Sequence, residues 1–395
     1  LLFYYLAYLA IAIAMSDDSA IHWQETGEEK TARWHSEKGL PAPKRVQVID
    51  DRMPADTAYR LACEGIALLW RGDFQNARQL LQAMARRTDK IKPKKPKQPD
   101  LSSAEAFHQH RLTQSQRART LEKLLLPFNA DHSIPLRRAP DTRAACLEAY
   151  GPCTEPYIAS LRGLQGLIGA HEWRKKGIEI PVLDLVIHPH YGVFAPIRNE
   201  YVQLIVQAPL PKLLATESTA FDIGTGTGVL AATLALRGVR HIIATDQDPR
   251  AMNCARDNLK RLNLLNQVEL VQTDLFPQGG AALIVCNPPW IPARPSSPLE
   301  HAIFDPGSRM LHGFLHGLSA HLLPGGEGWL ILSDFAEHLG LRTRDELLAA
   351  IDAADLKVLD RTDIKPHHPR VSDTSDPLHK ARAAELTSLW RLAVQ

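Results

Sequence analysis

The sequence predicts an α/β fold, an open Rossmann-like sheet with flanking helices, preceded by a mostly helical N-terminal domain. Three observations carry this expectation. Phe221-Asp222-Ile223-Gly224-Thr225-Gly226-Thr227-Gly228 ends an apolar run and opens a helix reaching about Arg237, a strand, glycine turn, helix unit. Short apolar runs at His241 to Thr245, Val268 to Thr273 and Ala281 to Cys286 then each stop at a polar residue: Asp246, Asp274 and Asn287. Hydrophobic residues are 45% and charged residues 23% of 395, enough to bury a full core in two domains.

Along the chain, Leu1 to Ala14 is wholly apolar and aromatic. A spanning helix needs about 20 such residues, and a signal peptide needs a basic start. Residues 1–14 are therefore expected to be a non-native or upstream-translated leader, with Met15 as initiator. Residues 15–50 read as a polar N-terminal segment and 51–179 as a helical domain. Within the latter, Leu61, Ile66, Leu69, Trp70, Phe74, Ala77, Leu80, Leu81 and Met84 recur at helical spacing, giving one or two helices interrupted near Gly72. Lys92-Pro-Lys-Lys-Pro-Lys97 follows, where prolines forbid a helix and lysines repel one another. Residues 92–99 are expected to be an exposed linker, with phosphate contact the minor reading. Ser103 to Leu126 resumes helical character, and a proline-rich loop and short helix lead to Glu172.

Residues 180–395 carry the chemistry. Ile180 to Ile187 and His188 to Pro196 read as a hairpin leading into a helix over Glu200 to Gln207. Glycines 224, 226 and 228 let the chain turn tightly and a ligand approach where a Cβ would collide. Their G-x-G-x-G spacing departs from the dinucleotide fingerprint, so a pyrophosphate cradle is the weaker reading. Asp246 can bind two ribose hydroxyls. Asp274 can accept from an adenine amino group, with Leu275 and Phe276 flanking the ring. Asn287-Pro288-Pro289-Trp290 makes a rigid, acceptor-rich corner. An amide or ring amino nitrogen is a poor nucleophile because its lone pair is delocalised, so alkylating it requires both N–H bonds to be held. The Asn287 oxygen and the Pro288 carbonyl can accept those hydrogens, and the indole of Trp290 can stack on a planar group. The alternative for this tetrapeptide is an ordinary loop after a strand.

In this order the residues resemble class I S-adenosylmethionine (SAM) methyltransferases, in the branch carrying Asn-Pro-Pro-aromatic, over roughly Ile180 to Gln395. The resemblance implies a seven-stranded SAM-methyltransferase sheet with its last strand antiparallel, and SAM as methyl donor. It assigns Asp222, Gly224, Thr225, Gly226 and Gly228 to the methionine end, Asp246 to the ribose, and Asp274 with Leu275 to the adenine. Phe194 and Pro196 would line the methionine side. Asn287, Pro288, Pro289 and Trp290 would orient the target nitrogen. Release-factor glutamine methyltransferases act on a protein amide, whereas adenine-N6 and guanine-N2 enzymes act on an exocyclic amine in nucleic acid. The first group is the closer, although it usually carries Tyr where this chain has Trp290, and an Arg-Pro-x-Thr-Glu-like segment where this chain has Pro196-Ile-Arg-Asn-Glu200. The expected enzyme is an N-methyltransferase with a macromolecular acceptor, protein favoured over RNA or DNA, recognised by residues 51–179. A nucleic-acid amine methyltransferase, a silent SAM-binding protein and a dehydrogenase remain as alternatives.

Beyond the corner, a proline-rich loop and His301 to Arg309 lead to a helix starting near Ser308. Asp305 and Arg309 are candidates for substrate contact or for capping that helix. Leu322-Leu-Pro-Gly-Gly326 turns into a strand over Gly328 to Ser333. A helix over Thr343 to Ala354 and strands over Lys357 to Asp363 and Leu386 to Val394 follow, the last pair antiparallel. A net charge of +2 supplies no global field for a polyanion. Cys63, Cys146, Cys153, Cys254 and Cys286 form no C-x-x-C pair and read as reduced thiols of a cytoplasmic protein. His188, His190, His367 and His368 lack metal-ligand spacing, so neither a metal nor a membrane is expected.

Overall fold

The computed structural model describes residues 20–90, 102–295, 300, 302–366, 373–374 and 376–395. The leader 1–14 with Met15, the Lys/Pro segment 92–99, His301, His367 and His368 lie outside the described residues. The chain forms two compact units, one holding residues 20–90 and 111–171, the other 102–110 and 172–395.

The first unit combines helices, which predominate over 51–179 as expected, with a six-stranded sheet that also draws in strands from the segment read as polar, 15–50. Its strands are β1 (Ala20–Glu25), β2 (Glu28–Trp34), β3 (Val46–Ile49), β4 (Ala67–Trp70), β5 (Leu124–Phe128) and β6 (Tyr157–Ser160), in the order β1-β2-β6-β5-β4-β3. A two-residue turn joins β1 to β2, with Thr26 and Gly27 both at positive φ, the geometry that matches strand twist. Buried Ile21 and Trp23 alternate along β1, while every residue of β2 is at least partly exposed, so its charges hide the strand from a composition reading. All four residues of β4 are buried. Such a run is doubly covered strand, and over four residues it cannot be told from helix by periodicity. Gly65 at φ +83 and the loop around Gly72 bound it, separating helices Ala55–Cys63 and Phe74–Lys90.

The second unit begins further upstream than residue 180, because Glu172 onward belongs to it, as do the first turns of helix Ser103–Leu121. Buried Phe107 on those turns packs with Ile291, Phe335 and Leu339. The expected hairpin is present, with both arms before His188: β7 (Ile178–Ile180) pairs with β8 (Leu185–Ile187) and helix Glu200–Gln207 follows. The main sheet contains β9 (Thr219–Ile223), β10 (His241–Asp246), β11 (Val268–Gln272), β12 (Ala281–Cys286), β13 (Leu322–Ser333), β14 (Leu356–Ile364) and β15 (Thr387–Val394). Their order is β11-β10-β9-β12-β13-β15-β14. Strands β9 to β13 are parallel, and β15 runs antiparallel to both β13 and β14. All six residues of β12 are buried. Helix Val229–Leu236 buries seven of its eight residues, consistent with its Ala- and Leu-rich sequence lacking any charge. Helix Arg344–Asp352 starts at a capping box in which Thr343 and Glu346 exchange backbone hydrogen bonds. Among the described residues, no helix is long and apolar enough to cross a membrane, and the five cysteines are free.

Gly328 on β13 shows how tightly helix Arg309–His321 lies on the sheet. A Cβ there would stand 2.2 Å from Leu318 Cδ2, inside a fully buried cluster. Gly328→Val is expected to lower unfolding stability by about 1–3 kcal/mol, the usual range for overpacking a core. Urea titration checks this, and an unchanged midpoint would show that the helix can lift.

Candidate active site

Strands β9, β10 and β11 step outward in one direction, and the chain then returns to place β12 on the other side of β9. The crevice at the carboxyl ends of β9 and β12 is thus the topological switch point, where open α/β sheets bind ligands.

At the end of β9, Asp222 is fully buried. Its Oδ2 accepts from the Thr225 hydroxyl at 2.7 Å and from the Ala231 N–H at 3.0 Å, tying the glycine loop to the first turn of helix Val229–Leu236. Its Oδ1 is buried with no hydrogen-bond partner. Burial pushes this carboxyl up to about 6; the two hydrogen bonds oppose the shift and the charge of Asp246 adds to it. Gly224, Gly226 and Gly228 all have positive φ. Their reasons differ. A Cβ on Gly228 would lie 3.2 Å from the Ala255 backbone, so helix packing crowds it, whereas one on Gly226 would meet no protein atom nearer than 4.0 Å. Gly226 therefore borders open space, and at Gly224 that space is covered only by the flexible tip of Met310.

Short ties bind the strand ends together. Gly226 N–H donates to Asp246 Oδ2 at 3.1 Å, and Asp248 N–H donates to Oδ1 at 2.9 Å. Burial raises the Asp246 carboxyl as well. Thr225 N–H donates to the Thr245 carbonyl at 2.7 Å, and the Thr245 hydroxyl donates to the Leu275 carbonyl at 2.6 Å. That second bond accompanies a positive φ at Leu275, a costly conformation for a bulky residue and one that clusters at functional sites.

The residues expected at the adenine depart from the simplest expectation. Asp274 is exposed and ion-paired with Arg309. Phe276 stacks on His321 at 4.4 Å and on Phe314 at 6.0 Å, so its ring belongs to the helix and not to a free ligand face. Leu275 likewise lies against Gly313 of that helix. Asp305 accepts from the N–H groups of Met310 and Leu311, at 2.8 and 3.3 Å, at the start of helix Arg309–His321. Of the two substrate-contact candidates, one holds that helix and the other holds Asp274.

At the end of β12, Asn287 and Trp290 meet: the indole N–H donates to Asn287 Oδ1 at 2.8 Å. Pro288 is buried between them and Pro289 is partly buried. A residue that sequence reasoning missed completes this corner. The Arg198 guanidinium lies 5.2 Å from the centroid of the Trp290 ring and is held by Glu385 and Glu200 at 3.0 Å each. Buried Asn258, also missed, donates to the carbonyls of Thr227 and His188 and accepts from His188 N–H, fixing the His188 to Pro196 stretch against the glycine loop. Phe194 in that stretch packs on the core of the sheet, and Pro196 is buried. His188 bonds the Arg174 carbonyl and His190 pairs with Asp257. Among the described residues, no group of three or more His, Cys, Asp or Glu could hold a metal.

This donor set suits SAM. Its polar groups are carboxylates, one of them with a buried unpartnered oxygen, and the glycine loop is open at Gly226. A cationic ligand bearing hydroxyls fits it. A pyrophosphate does not, because Asp222 and Asp246 would repel it and Asp222 already takes the Ala231 N–H.

Residues 184–343 match the family model described as the methyltransferase small domain. The release factor glutamine methyltransferase of Moorella thermoacetica is 37% identical over 159 residues, covering 38% of this chain and 55% of that protein. The ribosomal protein L11 methyltransferase of Clostridium perfringens (strain SM101 / Type A) is 34% identical over 138 residues, covering 30% of this chain and 44% of that protein. A solved structure of ribosomal protein L11 methylase from Lactobacillus delbrueckii subsp. bulgaricus aligns over 54% of this chain and 86% of its own, at 18% identity and a TM-score of 0.35. The chain spans about half the length of the curated relatives it matches. The family match thus falls on the stretch, residues 184–343, that builds the crevice.

Proposed function

We propose that this protein is a SAM-dependent N-methyltransferase acting on an amide or amino nitrogen, with a glutamine side chain of a protein as the favoured acceptor. The observation that carries the reading is Asn287 at the carboxyl end of β12, beside the glycine loop of β9. SAM supplies a methyl group already activated by its sulfonium. The chain's task is positioning and exclusion of water. Asp246 would hold the ribose hydroxyls, Asp222 the cationic methionine end, and Asp274 with Leu275 the adenine. Phe194, Pro196, Gly224, Thr225, Gly226 and Gly228 would shape the methionine side. Asn287 Oδ1 and the Pro288 carbonyl would hold the acceptor's two hydrogens, so the nitrogen can release its proton after alkylation and no strong base is needed. The match to a release factor glutamine methyltransferase supports a protein amide. Trp290, in place of the usual Tyr, favours the second reading, an exocyclic amine of a nucleic acid. Residues of the first unit are the candidates for recognising a macromolecular acceptor.

The deciding experiment incubates the protein with methyl-labelled SAM and separated protein, RNA and DNA fractions, with Asn287→Ala as the blank. Label in a protein band is expected, and label in RNA or DNA instead would overturn the favoured acceptor. Asn287→Ala is expected to abolish turnover with SAM affinity within a few fold, whereas Asp246→Ala weakens SAM binding first. Unchanged binding in the latter would refute its ribose role.

Gly226→Ala separates ligand space from fold. Its Cβ meets no protein, so only the left-handed φ costs stability, about 1–2 kcal/mol. SAM affinity, read by calorimetry, is expected to drop at least tenfold. Retained affinity would place the ligand elsewhere.

The raised Asp222 gives a pH dependence. In the free protein this carboxyl keeps its proton up to about 6, and a cationic ligand beside it favours the ionised form, so binding releases a proton. Affinity is therefore expected to tighten as pH rises through 6, by at most tenfold per unit, and to level off above. Titrations from pH 5 to 8 check this, with Asp222→Asn expected to flatten the curve.

A further inference from the structure

We propose that Trp290 and Arg198 are positioning residues for Asn287, linked in a chain that ends at buried Glu385. The proposal rests on the reading of Asn287 as the side chain that holds the acceptor nitrogen.

An asparagine amide presents an oxygen and an NH2 group of nearly equal size, so shape alone does not decide which way it faces. In a site that must accept hydrogens from a substrate, the wrong orientation offers donors to donors. Here the neighbouring group decides. An indole N–H only donates, and that of Trp290 lies 2.8 Å from Asn287 Oδ1. The flipped amide would set two donors against each other. The indole thus fixes Oδ1 and takes one of its two lone pairs, and the other remains for one acceptor hydrogen. Pro288, between the two side chains, has no N–H with which to compete.

The indole in turn needs a fixed plane. The Arg198 guanidinium lies 5.2 Å from its ring centroid, within cation–π range. Arg198 donates through both terminal nitrogens to Glu385, at 3.3 and 3.0 Å, and through Nε to Glu200 at 3.1 Å. Glu385 is 1% exposed, and its Oε1 also accepts from the Ser333 hydroxyl at 2.6 Å, itself accepting from the Phe335 N–H at 3.0 Å. The cation over Trp290 is therefore anchored to the end of β13. With this cation on one face of the ring and the indole N–H given to Asn287, only the opposite face is left for a planar acceptor. A Tyr hydroxyl, able to donate or accept, would not impose the same orientation.

The test has two arms. In the first, the protein is labelled with 15N in its indoles, and the Trp290 signal among the seven tryptophans is assigned as the one missing in Trp290→Phe. That signal is expected to shift and to exchange faster with solvent in Asn287→Ala and in Arg198→Met, and to stay in place in Arg361→Lys, which alters a separate guanidinium over Trp390. A signal blind to Asn287→Ala would overturn the proposal. In the second arm, kcat, KM and SAM affinity are measured on whichever fraction the wild-type protein labels. Trp290→Phe and Arg198→Met are expected to lower kcat tenfold or more with SAM affinity within twofold, and Arg198→Lys, which keeps charge but loses the planar fork, to recover part of the loss. Wild-type kcat in Trp290→Phe would overturn the proposal. If the wild-type protein labels no fraction, the methyl-transfer reading fails and with it the catalytic purpose of the chain, while the indole signal still reports whether Trp290 holds Asn287.

Discussion

The second unit depends on a carboxylate taken out of water. Asp222 is fully buried at the end of β9, with one oxygen committed to Thr225 and Ala231 and the other unpartnered. Burying such a group costs free energy, which its hydrogen bonds only partly offset. What those bonds secure is geometry: they set where the glycine loop leaves the strand and where the next helix begins. The bonds from Gly226 to Asp246, from Thr225 to Thr245 and from Thr245 to Leu275 then carry that position sideways across three strand ends. Acidic groups that stay apart on an unfolded chain are thereby held at one edge of the sheet, with two of their carboxyls raised by burial.

The same edge separates two uses of glycine. Gly228 is crowded by the protein, since Ala255 lies against it, whereas Gly226 leaves room that no protein atom fills. The helix Arg309–His321 closes the opposite side, with Met310 reaching over Gly224, Arg309 on Asp274, and Leu275 and Phe276 packed on its small residues. Charge and packing beyond the end of β11 are thus shared between that strand and this helix, so a substitution on either element disturbs the other.

Much of the main sheet was legible in the sequence because most of its strands are apolar runs stopped by a polar residue or a turn. Ala281–Cys286 and Glu200–Gln207 have the expected bounds, and Thr343 caps the helix that was expected to begin there. The first unit was less legible, for local reasons. Charged residues fill β2, and Ala67–Trp70 is too short for its periodicity to distinguish strand from helix. The pairing of Arg198 with Glu385 could not be read, since the two are 187 positions apart. Nor could the sequence reveal that the Trp290 nitrogen is spent on Asn287, because that depends on a rotamer. The segment Pro196-Ile-Arg-Asn-Glu200 was a signal of sorts, as a cation and a carboxylate two residues apart, and both turn out to belong to the anchor.

The placement of β15 has a consequence for the order in which the molecule can be assembled during synthesis. This strand follows β14 in the chain yet lies between β13 and β14. Until it emerges from the ribosome, β13 is an open edge and β14 has no neighbour in the sheet. Glu385, which anchors Arg198, comes just before it. The glycine loop can form on early strands while the corner around Asn287 still lacks its anchor. Vectorial synthesis therefore delivers the glycine loop and strands β9 to β12 before the residue that anchors the Asn287 corner.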